Sequence, residues 1–160
     1  MAIAITVIVL LFLIAVLIYA FLIMPRVVDT ADMELQSSDY AHRGLWKKSL
    51  PENSLAAFRN AAAHSYGIEL DLRLSSDGKV FVFHDSELER MCGTAARKSE
   101  LSADEIQALS LLNTEHKIPL LSQVFEAIDG RVPLLIEIKT DTVERLDALC
   151  RAAAELLDGY

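Results

Sequence analysis

Residues 67–85 read G-I-E-L-D-L-R-L-S-S-D-G-K-V-F-V-F-H-D, and their pattern decides the fold. Glu69 and Asp71 stand two apart among Ile68, Leu70 and Leu72. Alternate side chains of a strand point to opposite faces, so the spacing predicts a strand with an apolar face and a face carrying both carboxylates. A second apolar run, residues 80–83, ends on His84-Asp85. Asp77-Gly78 between the runs signals a turn and leaves no room for a crossover helix. A hairpin centred on that turn sets Asp71 opposite His84. Parallel neighbours with an extended return bring the same groups together at the strands' C-terminal ends. Either arrangement converges two carboxylates and an imidazole, the components of a hard-cation site beside a titratable base.

Working outward, residues 39–44 (D-Y-A-H-R-G) read as a short strand entering a glycine turn, and residues 46–50 as a loop. Pro51-Glu52-Asn53-Ser54 is a helix entry with Asn53 or Ser54 as cap. Leu55, Phe58 and Ala62 form the apolar face of a helix running to about Ser65. Downstream, Ser102-x-x-Glu105 is a capping-box pattern opening a short helix. Pro119 precedes a helix with Leu121, Val124, Phe125 and Ile128 at helical spacing. Residues 132–139 (V-P-L-L-I-E-I-K) form a buried strand ending in charges. Asp141-x-x-Glu144 caps a last helix with Val143, Leu146, Leu149, Cys150 and Ala153 on one side. Strands and helices alternate, with charged residues at the strand ends. That is the α/β, TIM-barrel-type pattern, where chemistry gathers at the C-terminal ends of the strands. Four strand units make half of an eight-stranded barrel, which takes about 250 residues.

The N-terminal quarter follows a different rule. Residues 2–24 contain no charged side chain and are rich in Ile, Val and Leu. As a helix they span roughly 34 Å at about 1.5 Å per residue, against a hydrocarbon core of about 30 Å. A buried helix of a soluble domain and a cleaved signal peptide are the other readings. The signal peptide lacks its basic n-region and its A-x-A site. The expected organisation is therefore a transmembrane anchor over residues 1–25, a polar linker over 26–38 and a partial α/β domain over 39–160. The positive-inside tendency, from Arg26, Arg43, Lys47 and Lys48, leans toward a cytoplasmic domain. The net charge is −8, from 23 acidic and 15 basic residues. No basic patch points to nucleic acid. The acidic excess also argues against electrostatic docking on anionic lipid and leaves the helix to hold the membrane. Cys92 and Cys150 fit no metal spacing and read as two buried, reduced thiols.

Six motifs in order, His42-Arg43-Gly44, Pro51-Glu52-Asn53-Ser54, Glu69-Leu70-Asp71, Asp77-Gly78, His84-Asp85 and Glu137-Ile138-Lys139, resemble the glycerophosphodiester phosphodiesterases. The wider superfamily includes phosphatidylinositol-specific phospholipase C. The P-E-N-S and E-I-K elements favour the glycerophosphodiesterase branch. The resemblance implies a metal-dependent hydrolase that cleaves a glycerophosphodiester to glycerol phosphate and an alcohol. It implies His42 and His84 as general acid and base. It implies Ca²⁺ or Mg²⁺ on Glu69, Asp71 and Glu137, and substrate phosphate on Arg43 and Lys139. Glu52 and Asn53 then support those groups. An anchored enzyme of this kind also suits a lysophospholipid substrate at the bilayer. Taken singly, each motif has a plainer structural reading, such as a helix start at Pro51 or a cross-strand pair at Glu137 and Lys139. Their joint order is what carries the resemblance. Trp46 either lines the pocket or covers the loop. His64 is expected at a helix C-terminus, and His116 in a loop.

The family's later strands are missing from the pattern, and the outer strands would have open edges. A piece of a longer protein, paired halves and a non-catalytic remnant are the three explanations, the first being expected. A membrane-tethered module that binds metal or phosphate without turnover is the rival function, and a purely structural anchor the third.

Overall fold

The computed structural model describes residues 2–23, 37–140 and 142–159. The chain divides into two compact units, residues 1–36 and 37–160. The expected linker therefore lies, up to residue 36, outside the described residues, as does Asp141.

In the first unit, α1 (Ala2–Ile23) is a single helix of 22 residues. Its large apolar side chains are exposed along its whole length. By length and composition it can cross a membrane.

The second unit is built on β2 (Gly67–Leu74). Along one edge it pairs first with β1 (Tyr40–His42), in parallel, and then with β3 (Val80–Val82), antiparallel. Along the other edge it pairs in parallel with β4 (Leu134–Ile138). The described residues form four strands, and the third is the returning arm of a hairpin rather than a parallel barrel strand. Of the two arrangements open from sequence, the hairpin is the one formed. Its register differs by one from the expected value. Asp71 faces Phe83, whose N–H donates to the Asp71 carbonyl at 2.9 Å, and does not face His84. The reason is the turn. Ser75 N–H bonds Lys79 O at 2.9 Å, and the Ser75 hydroxyl donates to Asp77 Oδ1 at 2.6 Å and accepts from Lys79 N at 2.8 Å. These bonds close a three-residue loop, Ser76-Asp77-Gly78, with Gly78 left-handed at φ 77°.

Helices α2 (Leu55–Ala63), α5 (Leu121–Ile128) and α6 (Val143–Leu157) cover the apolar face of the sheet. Phe58, Ile68, Leu70, Leu72, Leu121, Val124, Ile128 and Leu149 form that core. Each large aliphatic or aromatic side chain so buried contributes about 1.5–3 kcal/mol. A second cluster, Phe81, Phe83, Leu88, Met91, Ile106, Leu111 and Ile118, packs beneath the short helices α3 (Glu89–Cys92) and α4 (Ala103–Ala108). The Ser102–Glu105 capping box forms: Ser102 Oγ accepts from Glu105 N and Ser102 N–H donates to Glu105 Oε2 at 2.8 Å. The last helix differs from its expected start and face. Thr142 is its cap, accepting from Arg145 N at 3.4 Å. Its inward stripe is Leu149, Ala152, Ala153 and Leu156, the i, i+3, i+4, i+7 set. Val143 lies a turn and a half before that stripe and is 80% exposed, and Cys150 is rotated off it into solvent. The expectation of two buried thiols is thus corrected: both are free, Cys92 half-buried and Cys150 exposed.

Candidate active site

The site begins where β1 ends. His42 is in register with Glu69 of β2, its Nε2 3.9 Å from Glu69 Oε2, and its side chain is 68% exposed. The chain then reverses through two left-handed residues, Arg43 at φ 59° and Gly44 at φ 81°. A Cβ on Gly44 would lie 2.9 Å from the Ala57 carbonyl carbon and 2.9 Å from Phe58 Cδ1, so α2 packs directly on this glycine. The reversal turns Arg43 N–H to Glu69 Oε2 at 2.9 Å. Its guanidinium donates to Glu52 Oε1 at 2.9 Å and places Nε 3.6 Å from Asp71 Oδ2.

Between sequence expectation and fold, the P-E-N-S turn has two jobs. Ser54 caps α2, its Oγ accepting from Ala57 N at 3.2 Å. Asn53, buried and itself left-handed at φ 54°, donates its backbone N–H to Arg43 O at 3.0 Å. Its Nδ2 donates to Asp71 Oδ2 at 2.9 Å.

Parallel pairing of β2 with β4 sets Asp71 beside Glu137. One ligand oxygen from each of Glu69, Asp71 and Glu137 lies within 4.8 Å of the other two. Lys139 donates to Glu137 Oε1 at 2.6 Å and stands 3.5 Å from Asp71 Oδ1. That hydrogen bond holds the Glu137 carboxyl below its ordinary range and raises the Lys139 ammonium. Asp71 is wholly buried, and its Oδ1 accepts no hydrogen bond. A buried carboxylate oxygen without a donor is costly, and the Lys139 ammonium 3.5 Å away offsets its charge without bonding it. An oxygen-only donor set of three carboxylates, one oxygen of which is buried without a hydrogen-bond donor, fits a hard divalent cation.

The second histidine is held from the far side. His84 Nδ1 meets Asp85 Oδ1 at 2.8 Å, a contact that favours the tautomer with its proton on Nδ1. Arg73, buried on β2, donates Nη2 to His84 O at 2.6 Å and Nε to Phe83 O at 3.2 Å. Arg90, on α3, grips Asp85 with Nε at 2.5 Å and Nη2 at 2.9 Å, and reaches Glu52 Oε1 at 2.6 Å. The Arg90 hydrogen bond holds Asp85 down at about 2. Burial alone would raise Glu52, but the hydrogen bonds from Arg90 and Arg43 outweigh it and keep its carboxyl below the usual range. His84, Asp85, Arg90, Arg73 and Lys139 line an open cavity of about 630 Å³.

All nine residues singled out from sequence stand in this region: His42, Arg43, Glu52, Asn53, Glu69, Asp71, His84, Glu137 and Lys139. Arg73, Asp85 and Arg90 had been given no role. Arg73 could have been read from the i+2 alternation that places it on the carboxylate face. Arg90 could not, because a four-residue helix leaves no periodic signal. Trp46 does not line the cavity; it is 54% exposed. His64 caps α2, its Nδ1 2.8 Å from Asn60 O, and His116 sits in a loop with Nε2 3.3 Å from Ser49 O.

Residues 42–157 match the family described as the glycerophosphoryl diester phosphodiesterase family. Glycerophosphodiester phosphodiesterase 1 of Bos taurus is 33% identical over 74% of this chain and 38% of its own length. A lysophospholipase D of Rattus norvegicus is 31% identical over 78% of the chain and 42% of its own. Among solved structures, a phosphodiesterase of Oleispira antarctica in complex with the product sn-glycerol-3-phosphate is similar at a TM-score of 0.67. It is 28% identical, with 76% of this chain and 51% of that one covered. The Thermotoga maritima glycerophosphodiester phosphodiesterase is 37% identical at a TM-score of 0.59, over 74% and 47% of the two chains. The chain spans less than half the length of the curated relatives it matches.

Proposed function

The chain belongs to the glycerophosphoryl diester phosphodiesterase family, and from that premise we propose that it serves metal-dependent hydrolysis of glycerophosphodiesters to glycerol phosphate and an alcohol. The observation that carries this reading is the cluster of Glu69, Asp71 and Glu137 flanked by Arg43 and Lys139. Those three carboxylates would hold Ca²⁺ or Mg²⁺. When bound, the dication supplies positive charge against the phosphoryl oxygens as negative charge builds there. Arg43 offers a planar fork to phosphate oxygens and Lys139 a point charge. Asn53 and Glu52 keep Asp71 and Arg43 in position. His84, its Nδ1 proton directed to Asp85, moves a proton at Nε2. His42, at the end of β1, is its counterpart. One imidazole takes the proton of the attacking water as its oxygen bonds phosphorus. The other gives a proton to the alkoxide as its P–O bond breaks.

The test is release of glycerol phosphate from glycerophosphocholine by the full chain in detergent, with Ca²⁺, with Mg²⁺ and with chelator. Release that needs metal and falls at least a hundredfold in His42→Ala and His84→Ala supports the reading. Full activity under chelation or in either variant overturns it. Metal binding without release favours the rival, a tethered module without turnover.

The bilayer enters through α1, read here as an uncleaved anchor. Together with the similarity to a lysophospholipase D, it supports lysophospholipids as a second substrate class. Full-length chain in carbonate-washed membranes is the expected result, whereas a shortened soluble chain identifies a signal sequence and removes the anchor.

A further inference from the structure

Between Arg43 and Asn53 the chain leaves the site and returns to it. The neck of this excursion is closed by Asn53 N–H on Arg43 O at 3.0 Å and by the Arg43–Glu52 ion pair at 2.9 Å. Its tip is closed by reciprocal bonds, Lys47 N–H to Leu50 O at 3.0 Å and Leu50 N–H to Lys47 O at 2.8 Å. Its flanks are pinned to α2, with Leu45 N–H on Ala57 O at 3.1 Å and Asn60 Nδ2 on Leu45 O at 2.7 Å. A loop bonded at neck, flank and tip projects from the unit in a fixed shape.

What it projects is unusual for this surface. Trp46 is 54% exposed, and Lys47, Lys48 and Ser49 beside it are exposed too. Neither lysine makes an ion pair among the described residues. More than half of the indole is exposed, and the chain as a whole carries a net charge of −8. A rigid turn that presents an amphipathic ring with two ammonium groups beside it matches the interfacial layer of a bilayer. There the ring sits at the headgroup level and the lysines reach lipid phosphates.

We infer that residues 45–50 form a membrane-docking tip, with Trp46 seated in the headgroup layer and Lys47 and Lys48 on lipid phosphates. The inference rests on reading α1 as an anchor that keeps a bilayer within reach, and not on hydrolysis. The overall negative charge disfavours an anionic surface, and the tip is a local patch of the opposite sign. Because Arg43 and Glu52 close its neck, a docked tip holds the site at the membrane surface, where a phosphodiester still attached to an acyl chain is presented.

Trp46 is the only tryptophan in the chain, so its fluorescence reports the tip alone. The full chain is reconstituted into phosphatidylcholine–phosphatidylglycerol vesicles whose acyl chains carry bromine near the glycerol, and the vesicles are recovered by flotation. The expected result is co-flotation, blue-shifted emission and quenching by bromine. Lys47→Glu with Lys48→Glu should weaken that quenching about tenfold in apparent partitioning. Co-flotation with Trp46 unquenched and open to aqueous acrylamide overturns the docking tip and leaves the anchor standing. Failure to float overturns both. Hydrolysis is measured separately, so quenching without release of glycerol phosphate faults only the enzymatic reading.

Discussion

Arg90 Nη2 donates to Glu52 Oε1 at 2.6 Å, and through that bond the helix after His84 is fastened to the turn that holds Arg43. The run His84–Asp85–Arg90–Glu52–Arg43 joins two loops that β2 and β3 alone would not align. Arg90→Ala is expected to lower kcat ten- to a hundredfold with a smaller change in KM, and Arg90→Lys to recover part of the loss. Equal kcat in wild type and Arg90→Ala would remove Arg90 from the arrangement.

The same contact sets a pH dependence. Asp85 has a folded value of about 2 against an ordinary 3.8, because Arg90 bonds its ionised form. A depressed carboxyl stabilises the fold above its unfolded value and stops doing so as pH falls through the folded one. The contribution is complete above roughly pH 4 and is lost on the way down to about 2. Carbon NMR titration of the Asp85 carboxyl should show this low midpoint and an upward move in Arg90→Ala. A midpoint near 4 in the wild type would contradict the bidentate contact.

Asn53 reaches the carboxylate cluster through Asp71, by one hydrogen bond of 2.9 Å. Loss of such an orienting bond typically costs ten- to a hundredfold in metal affinity. Calorimetric titration of Asn53→Ala with Mg²⁺ and Ca²⁺ should show a drop of about that size with folding preserved by circular dichroism. Unchanged affinity would mean that Asp71 needs no such support.

Gly44→Ala tests the reversal after β1. The position is left-handed, and the added methyl meets the Ala57 backbone and Phe58 at 2.9 Å. A destabilisation of about 2 kcal/mol or more is expected, read as a fall in Tm of roughly 8 °C or more. Neutral behaviour would require α2 to shift without cost.

The two thiols should react differently. Burial pushes the Cys92 thiol up from 9.0 to about 11, whereas Cys150 lies on the exposed side of α6. A rise of that size cuts the reactive thiolate about a hundredfold at pH 8. One equivalent of Ellman's reagent should therefore be consumed quickly and the second only after denaturation. Two fast equivalents would contradict the packing of Cys92.

Sequence pattern located most of this site because the chemistry is written along single strands. The alternation of Ile68, Leu70 and Leu72 against Glu69 and Asp71 separates core from site without any tertiary information. The register of the hairpin was not readable, since it depends on Ser75 closing a three-residue loop around Asp77 and not on the Asp77-Gly78 pair itself. The face of α6 was misplaced for a related reason. Val143 and Cys150 are apolar enough to join a stripe, but only the position of the sheet beneath decides which residues of the helix meet it. Arg90 depends on a contact across 38 residues, and no local pattern announces it.

Arg43 and Asn53, the two residues at the neck of the loop, both hold left-handed backbone without being glycine. Each such residue costs about 1 kcal/mol, with asparagine the more tolerant of the two. Glycine at position 43 would relieve that tension while deleting the guanidinium that meets Glu52 and Asp71. In stability the two effects oppose each other, because the loss leaves Glu52 and the buried Asp71 without that cation. Tolerance of heat at this position is therefore set by the ion pairs of Arg43 as much as by its backbone.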